Sequence, residues 1–418
     1  MNSKIFKILR LVIHIMPSPE ISPTLHFDVV IIGGGISGNY LAYLLAGKGI
    51  SCAVIEAKKS FEARPLQCAG ILSQKLLDLV QFPTSIIQNR VQIADIVAPN
   101  GQHLLMRGKE SPLVIDRIAF DTYFGHQAQV RGAVYYFAEK YLKHWAKTDG
   151  TALVQTNLRY FSTKLVVGAD GPSSKVAAQM GMKIPTLSAA QVRATFLYDL
   201  STTAMIFDPR WTELFGYIVP EGSNGVCRIG VATSRAPGKA LKILLSRLNI
   251  SSNDIISHQG GLIPYGYPKR IAFQNTVLLG DSGCMVKATT GGGIIMLLSA
   301  AQILTPALEK ALSAGDFSQR FLQKHYQRPF KRGLGIQLKV HYLIRVFLLT
   351  LTPEDFTTFF SLYESSNLSA LIAEYADMDF PVSLVLRLLL NRKFVAFLVP
   401  IVWRNLHLVG TFFRVLVD

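Results

Sequence analysis

Asp28-Val-Val-Ile-Ile-Gly33-Gly-Gly35-Ile-Ser-Gly38 is an apolar run that ends in glycines at fixed spacing. Residues 29–32 suit a strand buried on both faces, and Gly33, Gly35 and Gly38 complete a G-x-G-x-x-G pattern at its end. Gly33 permits the tight turn, Gly35 lets a diphosphate approach the backbone, and Gly38 allows close helix–strand packing. Ser37 sits inside this loop and joins the glycines as an expected cofactor contact. The diphosphate of a dinucleotide then rests on a helix N-terminus, where free N–H groups and the dipole favour negative charge. A second apolar run, Cys52 to Ile55, ends at Glu56. An acidic residue there accepts hydrogen bonds from the adenosine ribose and repels a 2′-phosphate, so NADP is disfavoured at this site.

Outward from this loop the chain alternates strand and helix, the pattern of an α/β fold. The texture changes over residues 186–267, where the alternating runs 193–198, 215–220 and 225–232 suggest an antiparallel sheet. Residues 91–107 look like another strand pair, turning at Pro99-Asn100-Gly101, and the segment 88–110 is expected to join that sheet. The α/β texture returns at 276–280. The expected organisation is a Rossmann-type cofactor domain (27–185 and 268–330) interrupted by a β-sheet substrate domain (186–267), with a helical region at 331–418.

Hydrophobic residues make up 50% of the 418 residues and charged residues 17%, against a usual charged share of roughly 25%. Mean hydropathy is +0.30. The net charge of +16 points to a polyanionic partner. No zinc-finger spacing, RNP-like aromatic motif or long Lys/Arg tract is present, so nucleic acid is not expected and an anionic lipid surface is preferred. Cys52, Cys68, Cys227 and Cys284 form no CxxC pair, which argues against a disulfide framework or a zinc site and for a reducing compartment. No metal site is expected.

Both ends carry basic residues among apolar ones. Residues 1–16 place Lys4, Lys7, Arg10 and His14 on an otherwise apolar helix ended by Pro17, and a stiff Pro-rich linker follows to Pro23. The extension with its linker spans 1–26. In the tail, Arg404, His407, Thr411, Arg414 and Asp418 recur at helical spacing among Val402, Leu406, Val409, Phe412 and Leu416. The longest uncharged run there, 394–403, is about ten residues, short of the ~20 a spanning helix needs. Contact with a membrane would be interfacial. The expected location is cytoplasmic, peripheral on the inner face of the membrane.

Two later segments favour FAD over NAD. Leu165-Val-Val-Gly-Ala-Asp170-Gly-Pro-Ser-Ser resembles the strand-to-turn motif of glutathione-reductase-like flavoproteins. Thr276-Val-Leu-Leu-Gly280-Asp281-Ser resembles their third motif, in which the aspartate meets the ribityl chain. The order continues through Pro65-Leu-Gln-Cys68-Ala-Gly70-Ile-Leu-Ser73, Asp116-Arg117-Ile-Ala-Phe120-Asp121 and Thr290-Gly-Gly-Gly293-Ile294. Over residues 27–312 this order resembles the geranylgeranyl reductase family, flavoenzymes that saturate prenyl chains. The glycine motifs are shared with class A flavin hydroxylases; the Pro-x-x-Cys segment is the more specific part.

The resemblance implies that Cys68 lies beside the flavin ring, with Ala69 and Gly70 as adjoining cofactor backbone. It implies cofactor contacts at Arg117, Asp170, Asp281, Gly293 and Ile294. The family's Tyr-x-Trp-x-Phe-Pro substrate motif appears as Phe215-Gly-Tyr217-Ile-Val219-Pro220, and the following Gly-x-Gly is reduced to Gly230-Val-Ala232. Phe215 and Tyr217 are therefore the expected lining of an apolar slot and, with Cys68, the candidate catalytic residues. An isolated alkene is unactivated, so the expected route adds a proton to form a tertiary cation and then a hydride from reduced flavin. The protein must keep water out and can stabilise the cation with aromatic faces. The implied partners are a prenyl lipid substrate and an external electron donor: a ferredoxin-like protein, NAD(P)H or a deazaflavin. No second G-x-G-x-x-G follows a strand, so a nicotinamide donor would bind transiently. Two other readings stay open: an FAD hydroxylase or halogenase on another apolar substrate, and a non-catalytic prenyl carrier of the same fold.

Overall fold

The computed structural model describes residues 24–63 and 68–417. The N-terminal basic helix, its proline linker, Pro65 and Asp418 lie outside the described residues.

Three sheets organise the molecule. The largest has eight strands, and five of them are parallel in the order Thr276–Leu278, Tyr160–Gly168, Leu25–Ile32, Cys52–Ile55 and Val134–Tyr136. Its central strands read as continuous apolar runs because both of their faces are buried. Val29, Val30, Ile31, Cys52, Ala53, Val54, Val166 and Val167 are all buried. The antiparallel strands Tyr141–Ala146 and Ala152–Thr156 extend from one side of Tyr160–Gly168. Helices Ile36–Ala46 and Ile294–Ala314 pack together on this sheet.

The second sheet has seven strands in the order Ile255–Pro264, Thr186–Thr195, Val226–Thr233, Trp211–Pro220, Thr202–Asp208, Ile93–Val97 and His103–Arg107. Ile93–Val97 pairs in parallel with Thr202–Asp208, at Thr202↔Ile93 through Ile206↔Val97, so a strand pair far away in sequence completes the sheet. The turn between these two early strands closes through Gly101, at φ +86°, whose N–H donates to the Ala98 carbonyl. A small third sheet joins Ile71–Leu72, Leu113–Ile115 and Ile87–Arg90 between the two larger ones.

Beyond residue 330 the chain is helical. Thr352 caps Pro353–Ser365 through a reciprocal box with Asp355, with proline at the first helical position, a strong start signal. Phe356, Phe360, Tyr363, Leu368 and Ile372 from this region bury Ala98 and Leu104 of the edge strands. The tail is not one helix. Arg392–Arg404 ends at Asn405, and a short turn at Leu406–Leu408 leads into Val409–Val417.

By length and composition one described helix could cross a membrane, Ile294–Ala314, but 67% of its apolar window is buried inside the fold. Its apolarity is explained by the core it fills. Two further helix pairs qualify only if sharp bends of 117° and 93° are counted as single spans.

Candidate functional site

The three glycine motifs meet in space. Gly33 has φ +104°, and a Cβ there would lie 2.4 Å from the Ala169 carbonyl oxygen and 2.9 Å from the Asp170 Cα, so the first loop touches the second. Gly280 has φ +73°, and a Cβ would come within 2.2 Å of Ser37 Oγ, bringing the third segment onto the first. A Cβ on Gly38 would be 1.9 Å from the Gly33 carbonyl oxygen, so only glycine lets the helix close on its loop. Gly35 caps helix Ile36–Ala46 with no side-chain cap bond and no acidic residue in the first turn. The helix N-terminus therefore keeps N–H groups for an anion. Glu56, buried at the end of its strand, accepts from Gly34 N at 2.7 Å and Lys58 N at 2.8 Å.

The Asp170 carboxylate is engaged within its own loop. It accepts from Ser174 Oγ at 2.5 Å and from the backbone N–H groups of Lys175 (2.8 Å) and Val176 (3.2 Å). It holds the start of helix Lys175–Gln179.

A second cluster lies where a flavin ring is expected. Asp116 caps helix Arg117–Val130 through Ile118 N and Ala119 N, which directs Arg117 at the start of the helix. Arg117 forms a forked bond to Asp121 at 3.1–3.3 Å. Burial works against its charge, but Asp121 and Cys68 outweigh that and raise its pKa. Burial lifts the Asp281 carboxyl to about 6, with Arg117 opposing. Asp281 Oδ1 lies 3.6 Å from where a Gly293 side chain would begin. Cys68, Arg117, Asp281 and Gly293 thus share one neighbourhood, and Ile294 follows as the first residue of its helix.

The cavity beside this cluster has a volume of about 120 Å³. Cys68, Ala69, Gly70, Ile71, Leu72 and Ser73 form one wall, and Lys287 with residues 290–295 another. The substrate sheet contributes Ala189, Gln191, Leu214, Tyr217, Gln259 and Ile263. Tyr217 donates to Gln191 Oε1 at 2.6 Å, and Gln191 donates in turn to Gln259. Tyr217 is paired across the sheet with Gly230, where a Cβ would lie 2.4 Å from its hydroxyl. Gly230 therefore makes room for the ring. Phe215 is not part of the lining. It shares a strand face with Tyr217 but is buried against Phe207 at 5.9 Å, and Phe356 of helix Pro353–Ser365 covers Phe207 at 5.0 Å. A helical region far along the chain closes over that end of the sheet.

Several polar residues of the site were not singled out from sequence. Arg228 is 1% exposed and gives Nε to Glu221 (2.7 Å), Nη1 to the carbonyls of Ala69 (2.9 Å) and Ile115 (3.2 Å), and Nη2 to Gln88 (2.6 Å). A Cβ on Gly70 would collide with it at 1.8 Å. Arg228 ties the Cys68–Gly70 segment to the substrate sheet. Burial resists ionisation of Glu221, yet Arg193 and Arg228 hold its carboxyl below the usual range. Lys287 donates to Asp379 Oδ1 at 2.7 Å and to the Met378 carbonyl at 3.0 Å, with side chains 7% and 0% exposed. Asp379 Oδ2 has no partner. On the other side of this strap, residues 377–380, Lys75 pairs with Asp377. His341 receives a bond from Thr289 on Nδ1 (2.7 Å) and donates from Nε2 to the Asp379 carbonyl (3.2 Å). Burial and Lys287 push its pKa down to about 4, so the ring is neutral. No composition signal marks these residues, because decisive partners lie far along the chain: Arg228 reaches the Ala69 carbonyl 159 positions away, and Lys287 reaches Asp379 92 positions away.

Residues 26–227 match the model of an FAD binding domain. A digeranylgeranylglycerophospholipid reductase of Methanothrix thermoacetophila is 26% identical over 377 residues, covering 82% of this chain and 92% of the relative. One from Methanosarcina acetivorans is 25% identical over 79% of this chain and 86% of its own length. Among solved structures, a geranylgeranyl bacteriochlorophyll reductase-like protein of Thermoplasma acidophilum shares the fold at a TM-score of 0.76 and 20% identity, over 92% of this chain and 100% of that one. A flavin-dependent brominase aligns at 0.65 and 15% identity, over 83% of this chain and 92% of its own. The cofactor these residues fit is FAD, since an uncapped helix N-terminus, a buried acid at the end of Cys52–Ile55 and a buried Arg–Asp cluster lie in the order a dinucleotide and its ring require. The chain is an FAD-dependent oxidoreductase whose sequence is similar to digeranylgeranylglycerophospholipid reductases.

Proposed function

We propose that this protein saturates double bonds of geranylgeranyl chains in a membrane lipid precursor. The observation that carries the reading is the cavity itself. It is walled on one side by Cys68–Gly70, on another by the glycine loop 290–293, and is lined by Leu214, Tyr217, Ile263 and Ile71. FAD, when bound and reduced, supplies the hydride. Gly33, Gly35, Ser37, Gly38 and Glu56 hold its adenosine diphosphate half; Arg117, Asp281, Gly293 and Ile294 hold the part nearer the ring. Cys68 meets the reacting face. Tyr217, kept uncharged because burial pushes its pKa up, presents an aromatic face to positive charge developing on the alkene. Phe215 supports Tyr217 from behind.

The electron donor is external. An anionic membrane surface is the second partner, met by the helices after residue 381. There Leu386, Leu389, Leu390, Trp403 and Phe413 are exposed beside the exposed Arg387, Arg392, Lys393 and Arg414. Arg404 contributes less than its spacing suggests, because it is bonded to Asp355 at 2.5 Å and holds Arg392–Arg404 to Pro353–Ser365.

Dithionite-reduced protein should reoxidise anaerobically on addition of a geranylgeranyl lipid, with product heavier by two hydrogens per bond saturated. Cys68→Ser should slow that turnover more than it weakens FAD binding. Reoxidation that requires O₂ and yields product with an added oxygen would replace this reading with the hydroxylase.

A further inference from the structure

Arg345 is a buried cation that forms no salt bridge among the described residues; the Glu213 carboxylate acts on its charge only at a distance. It sits near the end of helix Ile336–Leu348, one turn beyond His341, and is 5% exposed. Its hydrogen bond runs from Nη1 to the backbone carbonyl of Glu213, and its guanidinium carbon lies 4.8 Å from the centre of the Tyr265 ring. Among the described residues no carboxylate forms an ion pair with it. The nearby Glu213 carboxylate is taken by Thr233 and Ser234. Burial pulls its pKa below the ordinary arginine value.

Buried charges in folded proteins are normally paired, because desolvation of a lone ion costs several kcal/mol. Arg228, the other fully buried arginine described above, obeys this rule through Glu221. Arg345 does not, and its position says why. Glu213 immediately precedes Leu214, and Tyr265 follows Ile263 by two residues; Leu214 and Ile263 both line the cavity. Tyr265, Ile263, Leu214 and Tyr217 form one packed cluster. The guanidinium is thus anchored by two elements that continue directly into the cavity wall, and its planar fork suits bidentate bonding to phosphate.

We propose that Arg345, backed by Tyr265, is the binding site for the anionic phosphate group of the lipid substrate, at the rim of the cavity that receives the prenyl chain. This rests on the prenyl-reductase reading and adds the polar end of the substrate to it. The role is positioning: phosphate held at Arg345 sets how far along the chain each double bond meets the flavin.

The test compares two substrates on the flavin-loaded protein, geranylgeranyl phosphate and uncharged geranylgeraniol, for the parent, Arg345→Gln and Arg345→Lys. Arg345→Gln should raise KM for the phosphate ester by ten-fold or more and leave KM for the alcohol within two-fold. Arg345→Lys, which keeps charge without the fork, should recover part of the loss. Inorganic phosphate should raise the thermal midpoint of the parent and leave that of Arg345→Gln unchanged. Protection without any change in ester KM would overturn the substrate role. Equal KM changes for both substrates would also overturn it and make Arg345 structural. No reduction of either substrate by the parent would instead defeat the prenyl-reductase reading, a result distinguishable from failure of the site.

Discussion

Replacing Lys287 with methionine tests how the C-terminal region is held to the site. The pair Lys287 Nζ–Asp379 Oδ1 is 2.7 Å long and both side chains are nearly sealed. At an effective dielectric of ~20 its attraction is about 6 kcal/mol, and desolvation of each ion, at several kcal/mol, cancels most of that. The intact pair is therefore near neutral in net stability. Removing one partner is different. Asp379 Oδ2 already lacks a donor, so Lys287→Met leaves a buried carboxylate with neither charge nor side-chain donor to satisfy it, a loss of about 3–5 kcal/mol. The double variant Lys287→Met/Asp379→Leu removes both charges and should recover most of that loss. The assay is urea unfolding of the flavin-loaded protein, followed by far-ultraviolet circular dichroism and by release of flavin fluorescence. Because the pair is buried, the loss should change little with added salt. A single variant within about 1 kcal/mol of the parent, or a double variant no better than the single, would refute the reasoning and leave the strap 377–380 held by Lys75–Asp377 and packing alone.

Gly33→Ala should abolish FAD retention, seen as colourless purified protein, because φ +104° and the 2.4 Å approach to the Ala169 carbonyl both exclude a Cβ. Burial raises Asp281 to about 6, above the ~3.9 of an unfolded chain. A raised acid binds its proton more tightly when folded, so flavin-free protein should lose its share of stability as pH rises from about 4 to about 6 and no further above that. The difference between the parent and Asp281→Asn across that range, read by urea unfolding, isolates the group; a difference growing with pH in the opposite sense would contradict it. Gly230→Ala should displace the Tyr217 ring and break its bond to Gln191, lowering prenyl turnover while flavin content stays at the parent level. Trp403→Ser with Phe413→Ser, at residues 75% and 66% exposed, should weaken binding to vesicles rich in anionic lipid, and high salt should weaken what remains; unchanged binding would move the contact elsewhere.

What the amino-acid sequence determines here is local in origin. The apolar run 29–32 followed by Gly33, Gly35 and Gly38 is a strand–turn–helix wherever it folds, because backbone conformations open only to glycine and a double-sided apolar strand leave few alternatives. Glu56 was legible for the same reason, while Cys68, Arg117 and Asp281 were suggested by the resemblance of the segments that hold them, and the structure brings these three into one neighbourhood. The tail illustrates the limit. Its helical periodicity was plain, but Arg404 was counted as a surface charge and is spent on Asp355, 49 positions earlier. Phe215 reads as cavity lining from its spacing to Tyr217 and is covered by a helix that begins at Pro353. Asp170 reads as a cofactor contact and caps its own downstream helix. The buried polar groups around the site, Arg228 with Gln88 and the Ala69 carbonyl, Lys287 with Asp379, and Arg345 without a salt bridge among the described residues, depend on how distant strands and helices pack. Periodicity reports which face of an element is buried; only the packed structure decides which charge faces which, because that choice is made by partners that local sequence does not contain.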